Sequence, residues 1–172
     1  DCPCLTTAKG YAYPASSMNN DILKFDDLLL WKAEALIELG RQNEALDIIN
    51  EVRQRAKNSV GMLVDDNGRA YSNYHVELYK PGENIDWTQA NARKALQWER
   101  RLEFGMEGSR FFDLVRWGIA AEVLNKYFEV EGKRRTYLQI GHFTKNRDEY
   151  LPVPTQQIDL SDGLYQQNSG WK

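Results

Sequence analysis

The residues best suited to chemistry lie in residues 99–118, ERRLEFGMEGSRFFDLVRWG, where charge alternates with bulky apolar side chains at helical spacing. Glu99, Glu103 and Glu107 fall four apart and share one helix face. Arg110, Asp113 and Arg116 follow three apart, with Phe111, Phe112, Leu114 and Trp117 between them. A pair of carboxylates flanking a glycosidic bond works as acid and base, or as acid and nucleophile, and Glu99, Glu103 and Asp113 would be the residues to do it. The same acids have cations within reach. Arg100, Arg101, Arg110 and Arg116 match Glu99, Glu103, Glu107 and Asp113, and helix neighbours three or four apart pair readily. Glu99 and Glu103 also share a stripe with Ala92, Ala95, Leu96, Leu102 and Met106, so they sit at the edge of a core and need guanidinium partners there. The expectation is a structural ion-pair network of Glu99, Glu103, Arg110, Asp113 and Arg116, since such networks gather charge as active sites do.

A second set of residues suits recognition without bond breaking. Trp87 borders an irregular segment that holds Tyr71, Tyr74 and Tyr79. Flat aromatic faces stack on the apolar faces of sugars while polar neighbours fix the hydroxyls. Asn73, His75 and Arg69 are the polar neighbours available, and loops are where such groups are displayed. Tyr71, Asn73, Tyr74 and Trp87 are therefore the candidate ligand contacts. The competing reading is that loop aromatics fold under and close a satellite core. Trp31, Trp98 and Trp117 lie in amphipathic helices as packing or interface residues, and Trp171 reads as an anchor for the tail.

Other chemistry finds little support. The chain has no phosphate-binding glycine loop, dinucleotide fingerprint, H-E-x-x-H or nucleophile elbow. Residues 65–68, DDNG, are rich in oxygen ligands but lack the spacing of a calcium loop, and a plain turn is expected. Cys2 and Cys4 form a C-x-C without further ligands nearby, and a disulfide between them would close a strained ring. His75 and His142 stand far apart. No metal and no cofactor is expected. The 172 residues are 42% hydrophobic and 27% charged with a net charge of −3, enough for one real core and unsuited to nucleic acid. No apolar run reaches the roughly 20 residues that span a bilayer, and the opening DCPCLTTAKG does not read as a signal peptide.

The elements that must position these groups are helices. Leu29, Ala33, Leu36 and Ile37 place a first helix over about 20–39, stopped by Gly40. Ala45, Ile48, Ile49, Val52 and Ala56 place a second over about 43–57. The joining loop is so short that the two turn back antiparallel as a TPR-like hairpin, with small Ala45 allowing close approach. Periodicity is lost across residues 58–87, where turns at 65–68 and 80–82 intervene and residues 60–64 and 69–71 could pair as a hairpin. Helices are expected again over about 88–104 with Thr88 as N-cap, 109–117 and 119–128. Residues 150–154, YLPVP, must be extended, with Thr155 capping a short turn through Ile158. Trp171 is expected to pack back on the helices. The fold class is all-α: a TPR-like helical hairpin plus further helices with long irregular loops.

Five blocks in order, FDDLLLWKAEALIELGR (25–41), EALDIINEVRQRA (44–56), the 99–118 run, YLPVP (150–154) and QNSGW (167–171), resemble the C-terminal part of SusD/RagB-type nutrient-binding lipoproteins. The run at 99–118 followed by YLPVP carries most of the weight. Members of that family are longer and bear an export signal and a lipid-attachment cysteine, so the resemblance implies that residues 1–172 are a C-terminal portion: hairpin about 20–57, loop about 58–87, helical block about 88–128, extended tail 129–172. It further implies non-catalytic capture of a nutrient, most often an oligosaccharide, at the outward face of the outer membrane, with delivery to a SusC-like TonB-dependent transporter and a lipid anchor outside this stretch. Ligand residues vary across that family, so none transfers by motif. A TPR-type protein-interaction scaffold is the alternative, and a glycoside hydrolase using Glu99, Glu103 or Asp113 a more distant one.

Overall fold

The computed structural model describes residues 22–171 and the backbone of residues 5–6 and 15–16; Cys2 and Cys4 lie outside the described residues. The fold is all-α, and the chain divides into two compact units, residues 1–102 and 103–172. The first unit contains a two-residue antiparallel ladder, β1 (Leu5–Thr6) with β2 (Ala15–Ser16), then α1 (Phe25–Glu38), α2 (Gln42–Ser59) and α3 (Gln89–Glu103), which reaches the boundary. The second holds α4 (Arg110–Arg116), α5 (Ala120–Glu131) and α6 (Thr155–Leu160). Among the described residues no helix is long and apolar enough to cross a membrane.

In the first unit, α1 starts at Phe25, later than the periodicity suggested, with Asp26 and Asp27 in its first turn, where the helix dipole favours acids. Its end is a Schellman turn: Gly40 N–H donates to Ile37 O at 3.0 Å and Arg41 N–H to Leu36 O at 2.8 Å. Gly40 supplies the φ of +74° that this turn needs. The chain then reverses into α2, and Leu30, Ala33, Leu36 and Ile37 meet Ala45, Ile49 and Val52 in a buried seam. Leu30, rather than Leu29, is fully buried there. α3 runs antiparallel to α1: its Gln89 donates to Ile37 O at 2.7 Å, Arg93 pairs with Glu38 at 2.6 Å, and Arg100 pairs with Asp27 at 2.7 Å. Ala92, Ala95 and Leu96 are its buried face. Leu102 and Met106 do not extend that stripe: both are exposed, and Met106 lies beyond the end of α3 at Glu103 with a left-handed φ of 71°.

The irregular segment between α2 and α3 is tied down by two polar side chains and one backbone carbonyl of α2. Asn50 clamps the Tyr79 peptide, accepting from its N–H at 2.8 Å and donating to its carbonyl at 2.9 Å. Arg53 donates to Glu77 O at 2.7 Å, and Trp87 donates its indole N–H to Gln42 O at 2.8 Å. Residues 77–87 therefore run antiparallel along α2. A carboxamide that both donates and accepts satisfies an extended backbone as a neighbouring strand would.

The second unit repeats these devices. Gly118 (φ 71°) closes α4 with Gly118 N–H to Val115 O at 2.9 Å and Ile119 N–H to Leu114 O at 3.0 Å. Leu114, Ala120 and Phe143 form its core, with Ile119, Leu124 and Phe128 packed around them. Asn125 clamps Phe143 as Asn50 clamps Tyr79, at 2.8 and 3.0 Å. Gln167 does the same to Val153, at 2.8 and 2.9 Å, so the YLPVP and QNSGW blocks are partners in one structure. Thr155 is not the cap of α6: extended Pro154 (φ −56°, ψ 131°) occupies that position and Thr155 begins the helix. Trp171 packs on a loop instead of on the helices, its indole N–H shared between Arg147 O (2.9 Å) and Tyr150 O (3.0 Å) under the Arg147 guanidinium at 5.0 Å.

Candidate ligand-binding site

Residues 63–74 form a short hairpin whose turn is built by Asp65. Its Oδ1 accepts the N–H groups of Asn67 (3.0 Å) and Arg69 (2.8 Å), and Gly68 turns with a φ of +77°. Pairing is confined to a bridge between Val64 and Ala70, flanked by Asp65 N–H to Arg69 O at 2.8 Å and Tyr71 N–H to Leu63 O at 3.2 Å. Residues 60–62, read from sequence as strand, form instead a 3₁₀ turn, Val60–Met62, at the end of α2. The carboxylate that makes the turn is thereby engaged by backbone, and the DDNG run serves geometry. Beyond the turn, Tyr71 is 70% exposed and Tyr74 is 40% exposed, with Asn73, His75 and Arg69 also exposed. Tyr71, Asn73 and Tyr74 are thus all exposed within one short stretch of chain.

Trp87 is placed otherwise. It is 8% exposed, with its N–H bonded to Gln42 O and its ring 5.7 Å from that of Tyr79. Tyr79 in turn lies under the Arg53 guanidinium at 4.5 Å, and burial holds its hydroxyl above the usual phenol range. These two aromatics close a satellite core against α2, and the hairpin is what remains on display.

The charged residues are engaged structurally at the positions where contacts are defined. Glu99 is 3% exposed and accepts a 2.7 Å hydrogen bond from Arg53 of α2. Burial raises its pKa, against the lowering effect of the Arg53 bond. Asp113 is buried and accepts from Arg116 at 2.9 Å, and the guanidinium carbons of Arg110 and Arg116 lie 6.0 and 4.9 Å from the Trp117 ring centre. Glu103 sits half-buried at the end of α3. Arg53, Asn50 and Gln42 are the residues that sequence reasoning did not single out. For Asn50 and Arg53 the signal was weak but real, polar side chains beside the apolar stripe of α2 facing a loop that needs backbone partners; Gln42 acts through its backbone carbonyl, which no side-chain pattern marks.

The sequence profile of the SusD family matches residues 5–171. Two relatives from Formosa agariphila are similar: SusD-like protein P38, 33% identical over 64% of this chain and 20% of its own length, and SusD-like protein P2, 27% identical over 91% of this chain and 26% of its own length. A crystal structure of a SusD homolog from Bacteroides thetaiotaomicron superposes with a TM-score of 0.65 at 27% identity, covering 94% of this chain and 30% of that one. The chain spans about a fifth to a quarter of the length of the curated relatives it matches.

Proposed function

This chain belongs to the SusD family, and from that premise we propose that it is part of a non-catalytic nutrient-binding protein that captures an oligosaccharide at the outward face of a bacterial outer membrane and hands it to a SusC-like TonB-dependent transporter. The observation that carries the binding surface within this chain is the hairpin that leaves Tyr71 and Tyr74 exposed beside Asn73. Its Asp65-centred turn fixes the strand ends, so little ordering is left to be done when a ligand arrives. The tyrosine faces stack on sugar rings and the Asn73 carboxamide serves as donor and acceptor for hydroxyls. Support for capture without turnover comes from the carboxylates that hydrolysis would need. Glu99 and Asp113 are buried and bonded to arginines, whereas glycoside hydrolysis needs two carboxyls open to the same bond.

The test is calorimetric titration with maltohexaose, laminarihexaose and xylohexaose, followed by chromatography of the recovered sugar. Binding with intact sugar, weakened about tenfold by Tyr71→Ala, is the expected outcome, equivalent to about 1.4 kcal/mol. Shortened sugar that persists in wild type and disappears in Glu99→Gln would replace capture with catalysis.

A further inference from the structure

The junction of the YLPVP and QNSGW blocks leaves a surface pocket of about 420 Å³ lined by Asn146, Tyr150, Asn168 and Ser169, within the size range of small-ligand sites. The four lining side chains are two asparagines, a tyrosine and a serine, with no acidic or basic residue among them. A hydroxyl-rich neutral ligand would find two carboxamides, two hydroxyls and an aromatic face there. Tyr150 is 62% exposed, which leaves its ring able to act as a platform.

The backbone beside this pocket is tied down by hydrogen bonds and close packing. The peptide carbonyls of Arg147 and Tyr150 both accept from the Trp171 indole. Asn168 anchors its amide nitrogen on Leu151 O at 2.6 Å and presents an oxygen that still accepts. Asn146 is held at φ 64°, and Gly170 (φ +86°) packs so tightly on it that a Cβ would lie 2.7 Å from Asn146 O. Asn tolerates that left-handed backbone better than most residues. The backbone beside the cavity and the Asn168 carboxamide are thus held in place before any ligand binds, which lowers the ordering cost of binding.

We propose that the Asn146–Tyr150–Asn168–Ser169 pocket is a second contact site for a neutral sugar residue, separate from the hairpin and fixed by the folding of the tail. The inference rests on the capture reading above for its ligand class. It is tested on the ¹⁵N-labelled chain by following backbone and carboxamide resonances during titration with maltohexaose, laminarihexaose and xylohexaose at millimolar concentration. The expected result is movement of the Asn146, Asn168 and Ser169 signals, abolished by Tyr150→Ala and by Asn146→Gly. The first variant keeps the carbonyl that accepts Trp171, and the second keeps the left-handed backbone. Unmoved Asn125 and Phe143 resonances report that the second unit remains folded in both. Movement confined to residues 71–74, pocket signals still moving in both variants, or no movement at the pocket with any of the three sugars overturns the proposal. Movement at the pocket with none at residues 71–74 supports it and refutes the hairpin site.

Discussion

Arg53 reaches three groups: it bonds Glu99 at 2.7 Å, donates to Glu77 O at 2.7 Å and covers the Tyr79 ring at 4.5 Å. Removing it leaves Glu99 in a buried site without that guanidinium and strips a loop carbonyl of its donor. Arg53→Ala is expected to cost about 3 kcal/mol in chemical denaturation, the scale for breaking a buried pair. Trp87 and Tyr71 should separate cleanly in the same assay. Trp87→Ala opens a cavity and removes an indole bond, so it is expected to cost about 3 kcal/mol, while Tyr71→Ala, at an exposed position, stays within about 0.5 kcal/mol. In sugar titration the order reverses, with Tyr71→Ala the damaging change. Equal stability losses in the two variants would place Tyr71 in the core with Trp87. The type of environment for Glu99 was legible, since its stripe on α3 placed it at a core edge. Its partner was not: Arg53 lies 46 residues away in sequence, and helical spacing reports neighbours only within an element.

At the scale of elements, the helices follow from periodicity and glycine stops, and the three reciprocal carboxamide clamps order what periodicity cannot. Asn50 on Tyr79, Asn125 on Phe143 and Gln167 on Val153 each bind both the N–H and the C=O of one residue. Asn50→Ala removes both bonds at Tyr79 and is expected to destabilise the chain by about 2 kcal/mol, since unsatisfied backbone groups carry the desolvation cost. Asn50→Asp keeps the acceptor for Tyr79 N–H but sets a carboxylate oxygen against its carbonyl, so it should not rescue. Full stability in Asn50→Asp would show that only the N–H bond matters. Such clamps leave no repeat in the sequence, which is why residues 58–87 read only as an irregular segment with turns and a possible hairpin, and why the partnership of YLPVP with QNSGW was invisible. The exposed Tyr71–Tyr74 stretch was legible because turn residues at 65–68 bracket it, whereas the burial of Trp87 depended on Gln42 and Tyr79, whose positions only the folded hairpin defines.

Across the whole molecule, acid titration should separate the surface pairs from the buried one. Arg93 holds Glu38, Arg41 holds Glu44 and Lys57 holds Glu77 below the ordinary glutamate value of 4.5, and Arg147 with the Thr144 N–H holds Asp148 below 3.8. For these acids the folded state gives up protons more readily than the unfolded one. Their contribution is complete above those ordinary values and is lost as pH falls through the lowered folded ones. Glu99 has the opposite sign. Burial raises its pKa above 4.5, so the folded state holds the proton longer, and its contribution is complete below about pH 4.5 and fades as pH rises through the folded value. Urea midpoints measured against pH should therefore fall on the acid side through these four paired acids and decline on the other side through Glu99. Glu99→Gln is expected to flatten only the second limb. Added salt should flatten only the first, because exposed pairs are screened and a buried one is not. A second limb unchanged in Glu99→Gln would assign that decline to another group and remove Glu99 as the titrating element of the α2–α3 interface.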